Sequence, residues 1–128
     1  MTLTKEQVLE KLKDPTVVLL DVSSEADFGR LHIKDSQNLT LGQNVRNFET
    51  NAIKRYNKQT YFITYSADEN GVLGQNAAKL LTLHGFQANH YLGGIRDWFR
   101  AGLPIGGTER SVPMRVLARP QRRKNPYR

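Results

Sequence analysis

Thr60-Tyr61-Phe62-Ile63-Thr64-Tyr65-Ser66-Ala67-Asp68-Glu69-Asn70-Gly71-Val72-Leu73 opens a strand, a loop and a helix that together run to Phe86. Thr60 to Tyr65 is β-branched and aromatic, which predicts a strand. Leu73 to His84 carries Leu73, Ala77, Leu80 and Leu81 at helical spacing, and Gly85 stands where a left-handed residue closes the helix. A loop between the end of a parallel strand and the start of a helix is where α/β proteins place anions and nucleophiles. The loop here, Ser66-Ala67-Asp68-Glu69-Asn70-Gly71-Val72, holds neither a cysteine nor a basic residue. The scaffold of a catalytic pocket is legible, and its usual chemistry is missing.

Working outward, Leu3-Thr4-Lys5-Glu6-Gln7-Val8 has a capping-box and staple pattern, so a helix is expected over Lys5 to Lys13 with Val8, Leu9 and Leu12 on its buried face. Asp14-Pro15 ends it, because proline disfavours a helical residue before it. Thr16 to Val22 is an apolar run too continuous for a strand with one wet face, which predicts a parallel strand covered on both sides. Ser23-Ser24 offers an N-cap for a short helix through about Leu31, and Ser36 to Leu41 reads as a further strand. Val45, Phe48, Ala52, Ile53 and Tyr56 recur at helical spacing. Gln87 to Leu92 reads as a strand, and Gly94 to Ala101 as a short helix ending at Gly102. Strands alternating with helices imply a parallel sheet with helices on both faces.

The chain has 128 residues, 38% of them apolar and 24% charged, which suits one domain with one core. Its longest apolar stretch, Val17 to Leu20, is far too short to span a bilayer, and the start shows no export signal, so a cytoplasmic protein without membrane contact is expected. There are no cysteines, which excludes disulfides, thiolate metal sites and thiol nucleophiles. The net charge of +7 suggests a polyanion partner until the charge is located. Residues 109–128 hold seven basic residues against one acid, whereas residues 1–108 hold 12 basic against 11 acidic ones. The basicity belongs to the tail. The expected organisation is therefore a domain over residues 1–106 and a basic Pro/Arg-rich arm over residues 107–128.

Three segments together resemble the rhodanese-like family of single-domain sulfurtransferases. Leu19-Leu20-Asp21-Val22, Glu25-Ala26-Asp27-Phe28 and His32-Ile33 are similar to the family's first signature. Gly93-Gly94-Ile95-Arg96-Asp97-Trp98, followed by Ala101-Gly102-Leu103-Pro104, is similar to its closing signature. Tyr65-Ser66 stands where a hydrophobic strand runs into the family's catalytic cysteine. The resemblance spans roughly Val8 to Pro104 and implies a three-layer α/β fold, with a mostly parallel five-stranded sheet between helices. It marks Asp21, His32, Gly93, Gly94 and Trp98 as signature positions and Ser66 as the position of the nucleophile. In the family that cysteine takes up a sulfane sulfur as a persulfide, inside a loop of inward-pointing amides. A serine oxygen has a far higher pKa and cannot carry sulfur as a labile persulfide.

Further departures agree with that loss. Ser23 replaces the family's usual basic residue, Leu31 replaces the glycine before its histidine, and the loop from Ser66 lacks the usual arginine and is longer. Asp68 and Glu69 would repel thiosulfate or phosphate, by roughly 4 kcal/mol per close pair at an effective dielectric near 20. The loop resembles those of the non-catalytic halves of tandem sulfurtransferases, and departs from the related phosphatases, which need the cysteine and the arginine.

On the residues alone, Ser66 reads first as a serine whose hydroxyl satisfies amides at the start of the next helix. A nucleophilic role would need a base, and nothing in the sequence places His32, His84 or His90 beside it. No histidines pair at zinc-ligand spacing, and Asp68, Glu69 and Asn70 lack the alternating ligands of a calcium loop, so neither a metal nor a cofactor is expected. Asp21 reads as an organiser of neighbouring turns, Gly93 and Gly94 as backbone freedom before a helix, and Trp98 as core.

In the arm, Arg119, Arg122, Arg123, Lys124 and Arg128 surround Tyr127, a pattern suited to a phosphate backbone with one stacking contact, against the simpler reading of a solubilising extension. The leading expectation is a catalytically inactive rhodanese-like domain that binds or regulates a protein partner through Ser66 to Val72. The alternatives are a nucleic-acid or ribonucleoprotein accessory acting through the arm, and an enzyme with unfamiliar serine chemistry at Ser66.

Overall fold

The computed structural model describes residues 2–68 and 70–108. Its central sheet is five-stranded and parallel throughout. In chain order the strands are β1 (Thr2–Leu3), β2 (Val17–Asp21), β4 (Gln37–Asn38), β5 (Tyr61–Tyr65) and β6 (Gln87–Tyr91), arranged β1-β6-β5-β2-β4. A second sheet pairs β3 (His32–Ile33) antiparallel with β7 (Ile105–Gly106). The helices are α1 (Lys5–Lys11), α2 (Glu25–Arg30), α3 (Val45–Arg55), α4 (Val72–Leu83) and α5 (Gly94–Arg100).

The continuous apolar reading of the strands has a direct structural cause. Leu19, Ile63 and Tyr65 turn to a cluster with Val8, Ile95 and Trp98, while Leu20, Val22 and Phe62 turn to a second cluster with Phe48, Ala77 and Leu81. The sheet therefore has two dry faces, one under α1 and α5 and the other under α3 and α4. Thr4 caps α1 as expected, with its side chain accepting from the Gln7 amide at 3.2 Å and the Gln7 side chain accepting from the Thr4 amide at 2.8 Å. Ser24 caps α2 by accepting from the Asp27 amide at 3.1 Å. Gly85 closes α4 with φ of 91°.

Several expectations need correction. Helix α1 stops at Lys11, and Leu9 lies outside its buried stripe, 38% exposed, because only Val8 and Leu12 face the sheet. In α3, Phe48 and Ala52 are buried while Val45 and Ile53 face outward. On α4 the close contacts come from Gly74, Ala77, Ala78 and Leu81, with Leu73 and Leu80 only partly covered. The strand read over Ser36 to Leu41 contracts to Gln37–Asn38, although the Leu39 and Leu41 amides still bond the carbonyls of Asp21 and Val22. The two-residue strands β1, β3 and β7 carry no periodicity that a sequence could display.

The arm residues Arg119, Arg122, Arg123, Lys124 and Arg128, and Glu69 of the loop, lie outside the described residues. The chain beyond Gly106 is still held at its first step, where the Thr108 amide donates to the Gly29 carbonyl at 3.1 Å.

Candidate functional site

Strand β5 delivers Ser66 to the carboxyl end of the sheet, where it is 3% exposed. Its hydroxyl donates to the Asp68 carboxylate and accepts from the Gly74 amide at 3.2 Å. The other Asp68 oxygen accepts from the Val72 amide at 2.8 Å, and the Asp68 carbonyl accepts from the Gly71 amide at 3.2 Å. Gly71, at φ of 66°, leads into α4 with no side chain of its own to cap it. Asp68 takes over that task. A carboxylate at a helix N-terminus, bonded to amides of the first turn, is the arrangement by which such a site holds an anion. Here the anion is part of the loop.

The next amide is also taken. Ala67 N–H donates to the Ser23 hydroxyl at 2.7 Å, and Ser23 N–H donates to Asp21 Oδ1 at 2.8 Å. The parallel register sets Asp21 opposite Tyr65, so the ends of β2 and β5 are tied just below the loop. The Ser23 carbonyl accepts from Asn38 Nδ2 at 3.0 Å and from the Thr40 hydroxyl at 2.8 Å. Ser23 thus fills its place as a buried bracket between loops, in the position where the resemblance leads one to expect a cation. Asp21 is buried, and desolvation pushes its carboxyl above the usual range against the opposing Ser23 and Tyr65 hydrogen bonds and the charge of His32. The Tyr65 hydroxyl accepts from the Ile33 amide at 3.0 Å and shares a 2.9 Å hydrogen bond with Ser36; burial, followed by the nearby Asp21 charge, pushes its pKa upward.

The closing signature forms the other wall. Gly94 has φ of 61°, and a Cβ there would lie 2.6 Å from the Ser66 carbonyl oxygen, so this backbone approach requires glycine. Gly93 has an ordinary helical φ of −61°; its lack of a side chain admits Asp97, whose Cβ lies 2.5 Å from where a Gly93 Cβ would be. Trp98 is core, as expected, with Nε1 donating to the Pro104 carbonyl at 2.8 Å and its ring edge-on to Tyr91 at 6.1 Å.

The histidines divide. His32 stacks on Phe28 at 3.9 Å, with Nδ1 placed 2.7 Å from the Phe28 carbonyl oxygen. His84 joins Glu49 across α4 and α3 at 2.7 Å. His90, which sequence reasoning could not place, packs beneath the loop. A Cβ built on Gly74 would lie 3.0 Å from His90 Nε2, and one built on Gly71 would lie 3.3 Å from it. His90 is 3% exposed, and Nε2 is enclosed without a hydrogen-bond partner. Burial lowers its pKa below the ordinary 6.5, with partial opposition from the Asp68 charge. Among the described residues no histidine bonds Ser66, so the arrangement a serine nucleophile needs is replaced by a serine held between a carboxylate and an amide.

Ser23 and His90 are the two residues to which sequence reading assigned no part in the site. Ser23 carried a faint signal, a hydroxyl directly after the Asp-Val that ends a strand. His90 carried none, because its neighbours Gly71 and Gly74 come from a different element. Around the rim, Val72 and Leu92 are 47% and 53% exposed. Among the described residues no group of acidic or histidine side chains could hold a metal ion, and no helix is long and apolar enough to cross a membrane.

Comparison with known proteins agrees with this architecture. The fold is similar to that of a Bacillus halodurans protein (TM-score 0.73, 19% identity, 84% of this chain and 77% of that one). It is also similar to the rhodanese-like domain of an Anabaena sp. protein (TM-score 0.73, 20% identity, 87% and 82%). A thiosulfate sulfurtransferase from Pseudomonas aeruginosa aligns over 85% of this chain and 20% of its own length, with a TM-score of 0.67 and 21% identity. Among curated proteins, no sequence matches. The family model described as "Rhodanese-like domain" matches residues 4–101, and this chain belongs to the rhodanese-like domain family.

Proposed function

We propose that this rhodanese-like domain has no sulfurtransferase activity and serves as a binding or regulatory module, with the loop from Ser66 to Val72 as its recognition surface. One observation carries the reading: four amides at and after the loop are already engaged by side chains and backbone of the chain itself. The Ala67, Gly71, Val72 and Gly74 amides are bonded to Ser23, Asp68 and Ser66. Persulfide transfer needs a thiolate nucleophile and a cradle open to an anionic donor. A serine stands at the first, and a carboxylate fills the second. The exposed Val72 and Leu92 beside the loop supply apolar contact area for a protein partner.

The test is sulfur transfer from thiosulfate or mercaptopyruvate to cyanide. The wild-type protein is expected to show no turnover above buffer, and Ser66→Cys to recover little, because Asp68 still occupies the cradle. Wild-type turnover at ordinary enzyme rates, on the order of 1–1,000 per second, would overturn the reading.

A second reading is favoured by one observation, the concentration of seven basic residues within 109–128. Under it, the chain is a nucleic-acid or ribonucleoprotein accessory, with Arg119, Arg122, Arg123, Lys124 and Arg128 meeting phosphates. Deleting the arm should then abolish RNA or DNA binding and flatten its salt dependence. Unchanged binding after the deletion would refute it.

A further inference from the structure

His90 presents an unused titratable group directly beneath the site. It belongs to β6, its Nε2 is enclosed and unpartnered, and it faces Gly71 and Gly74 at the start of α4. Its ring sits at the positive end of a 12-residue helix, which disfavours an imidazolium unless a carboxylate answers it. The surroundings offer one such group among the described residues. Asp68 on the loop favours the charged ring, while the amino-terminal charge opposes it. The strand neighbours in register, Thr2 and Thr64, are uncharged, and from α4 Lys79 lines the cavity beside the ring.

We propose that His90 and Asp68 form an acid-operated catch: protonation of His90 draws the Asp68 carboxylate away from the Ser66 hydroxyl and the Val72 amide, and exposes those donors to an external oxyanion. An imidazolium donates from both ring nitrogens, so Nε2 then carries an N–H that needs an acceptor. The carboxylate that answers it is the one holding the loop shut. At neutral pH the imidazole is uncharged, Asp68 remains on the helix N-terminus, and the cradle is full. The device rests on the reading of the loop as a self-occupied cradle and adds the condition under which it empties.

The experiment follows the His90 ring and the Val72 and Gly74 amides by NMR across a pH titration, with inorganic sulfate as the probe anion at about pH 5 and about pH 7.5. In the wild-type chain, the ring and both amides should share one midpoint below 6.5, and sulfate should bind at least about tenfold tighter at the lower pH. Asp68→Asn should remove the amide step and reduce the pH dependence of sulfate binding. His90→Gln should hold the loop in its neutral-pH form throughout. The catch is refuted if the amides ignore the ring titration, or if sulfate affinity in Asp68→Asn keeps the full wild-type pH dependence. Neither result bears on sulfur transfer at neutral pH. Wild-type turnover in that assay would instead overturn the inactive reading.

Discussion

Two segments meet at the carboxyl end of the sheet, and they are built differently. In residues 93–104 the contacts serve packing: Gly94 lies against the Ser66 carbonyl, Trp98 fills the core, and Pro104 accepts from the indole. In residues 66–74 the Ser66 hydroxyl and the Val72 and Gly74 amides point to the loop's own side chains. The difference teaches that a fold holds its packing residues by energy and its reactive residues only by use. Replacing a buried indole costs several kcal/mol of stability. A buried hydroxyl costs little provided it finds partners, and Ser66 finds two.

That comparison can be broken from the packing side first. Trp98→Ala should destabilise the domain by about 3–5 kcal/mol, read from chemical denaturation, because it empties a core position and removes the indole donor from the Pro104 carbonyl, which keeps only the Lys34 amide. A loss within experimental error would remove the claim that this segment is retained for packing. Gly94→Ala should cost about 1–3 kcal/mol, since the residue is held at φ of 61° and the new Cβ meets backbone. The amide signals around Ser66 should move with it.

From the loop side the expected effects are smaller. Ser66→Ala removes the bridge between Asp68 and the Gly74 amide and should cost about 1–3 kcal/mol in the same measurement. If it costs nothing, the hydroxyl is idle and the loop is not self-satisfied. The mildest effect is on pH dependence. Burial lowers the folded-state pKa of His90, so the unfolded chain binds the proton more readily. Stability should therefore be full above 6.5 and fall as the pH drops from there toward the lower folded value, and His90→Gln should flatten that slope. A wild-type curve without this descent would remove His90 from the account.

Much of the fold was open to reading because its signals are local. The Thr4 and Gln7 capping box, the Ser24 cap, the Gly85 stop and the apolar runs of β2 and β5 are each contained within a few consecutive residues. Where the reading erred, the deciding partner lay elsewhere in the chain. Leu9, Val45 and Ile53 have the right spacing for a buried stripe, yet the width of the stripe is set by the surface it meets. The short pairs β1–β6 and β3–β7 depend on backbone groups that carry no side-chain pattern.

The candidate site divides along the same line. The absence of a thiol and of a basic residue is a matter of inventory, plain from Ser66 to Val72 before any coordinates. The role of Ser66 as a helper of the following helix was also legible, since a serine ahead of a helix commonly bonds its free amides. The occupation of the cradle was not. It requires the register that sets Asp21 beside Tyr65, the turn that folds Asp68 back onto Val72, and the packing of His90 under Gly71 and Gly74. Amino-acid identity determines which groups can donate, accept or carry charge, because that is covalent chemistry. Tertiary structure alone decides which donors are already engaged, because hydrogen bonds and burial are relations between residues that the chain order keeps apart.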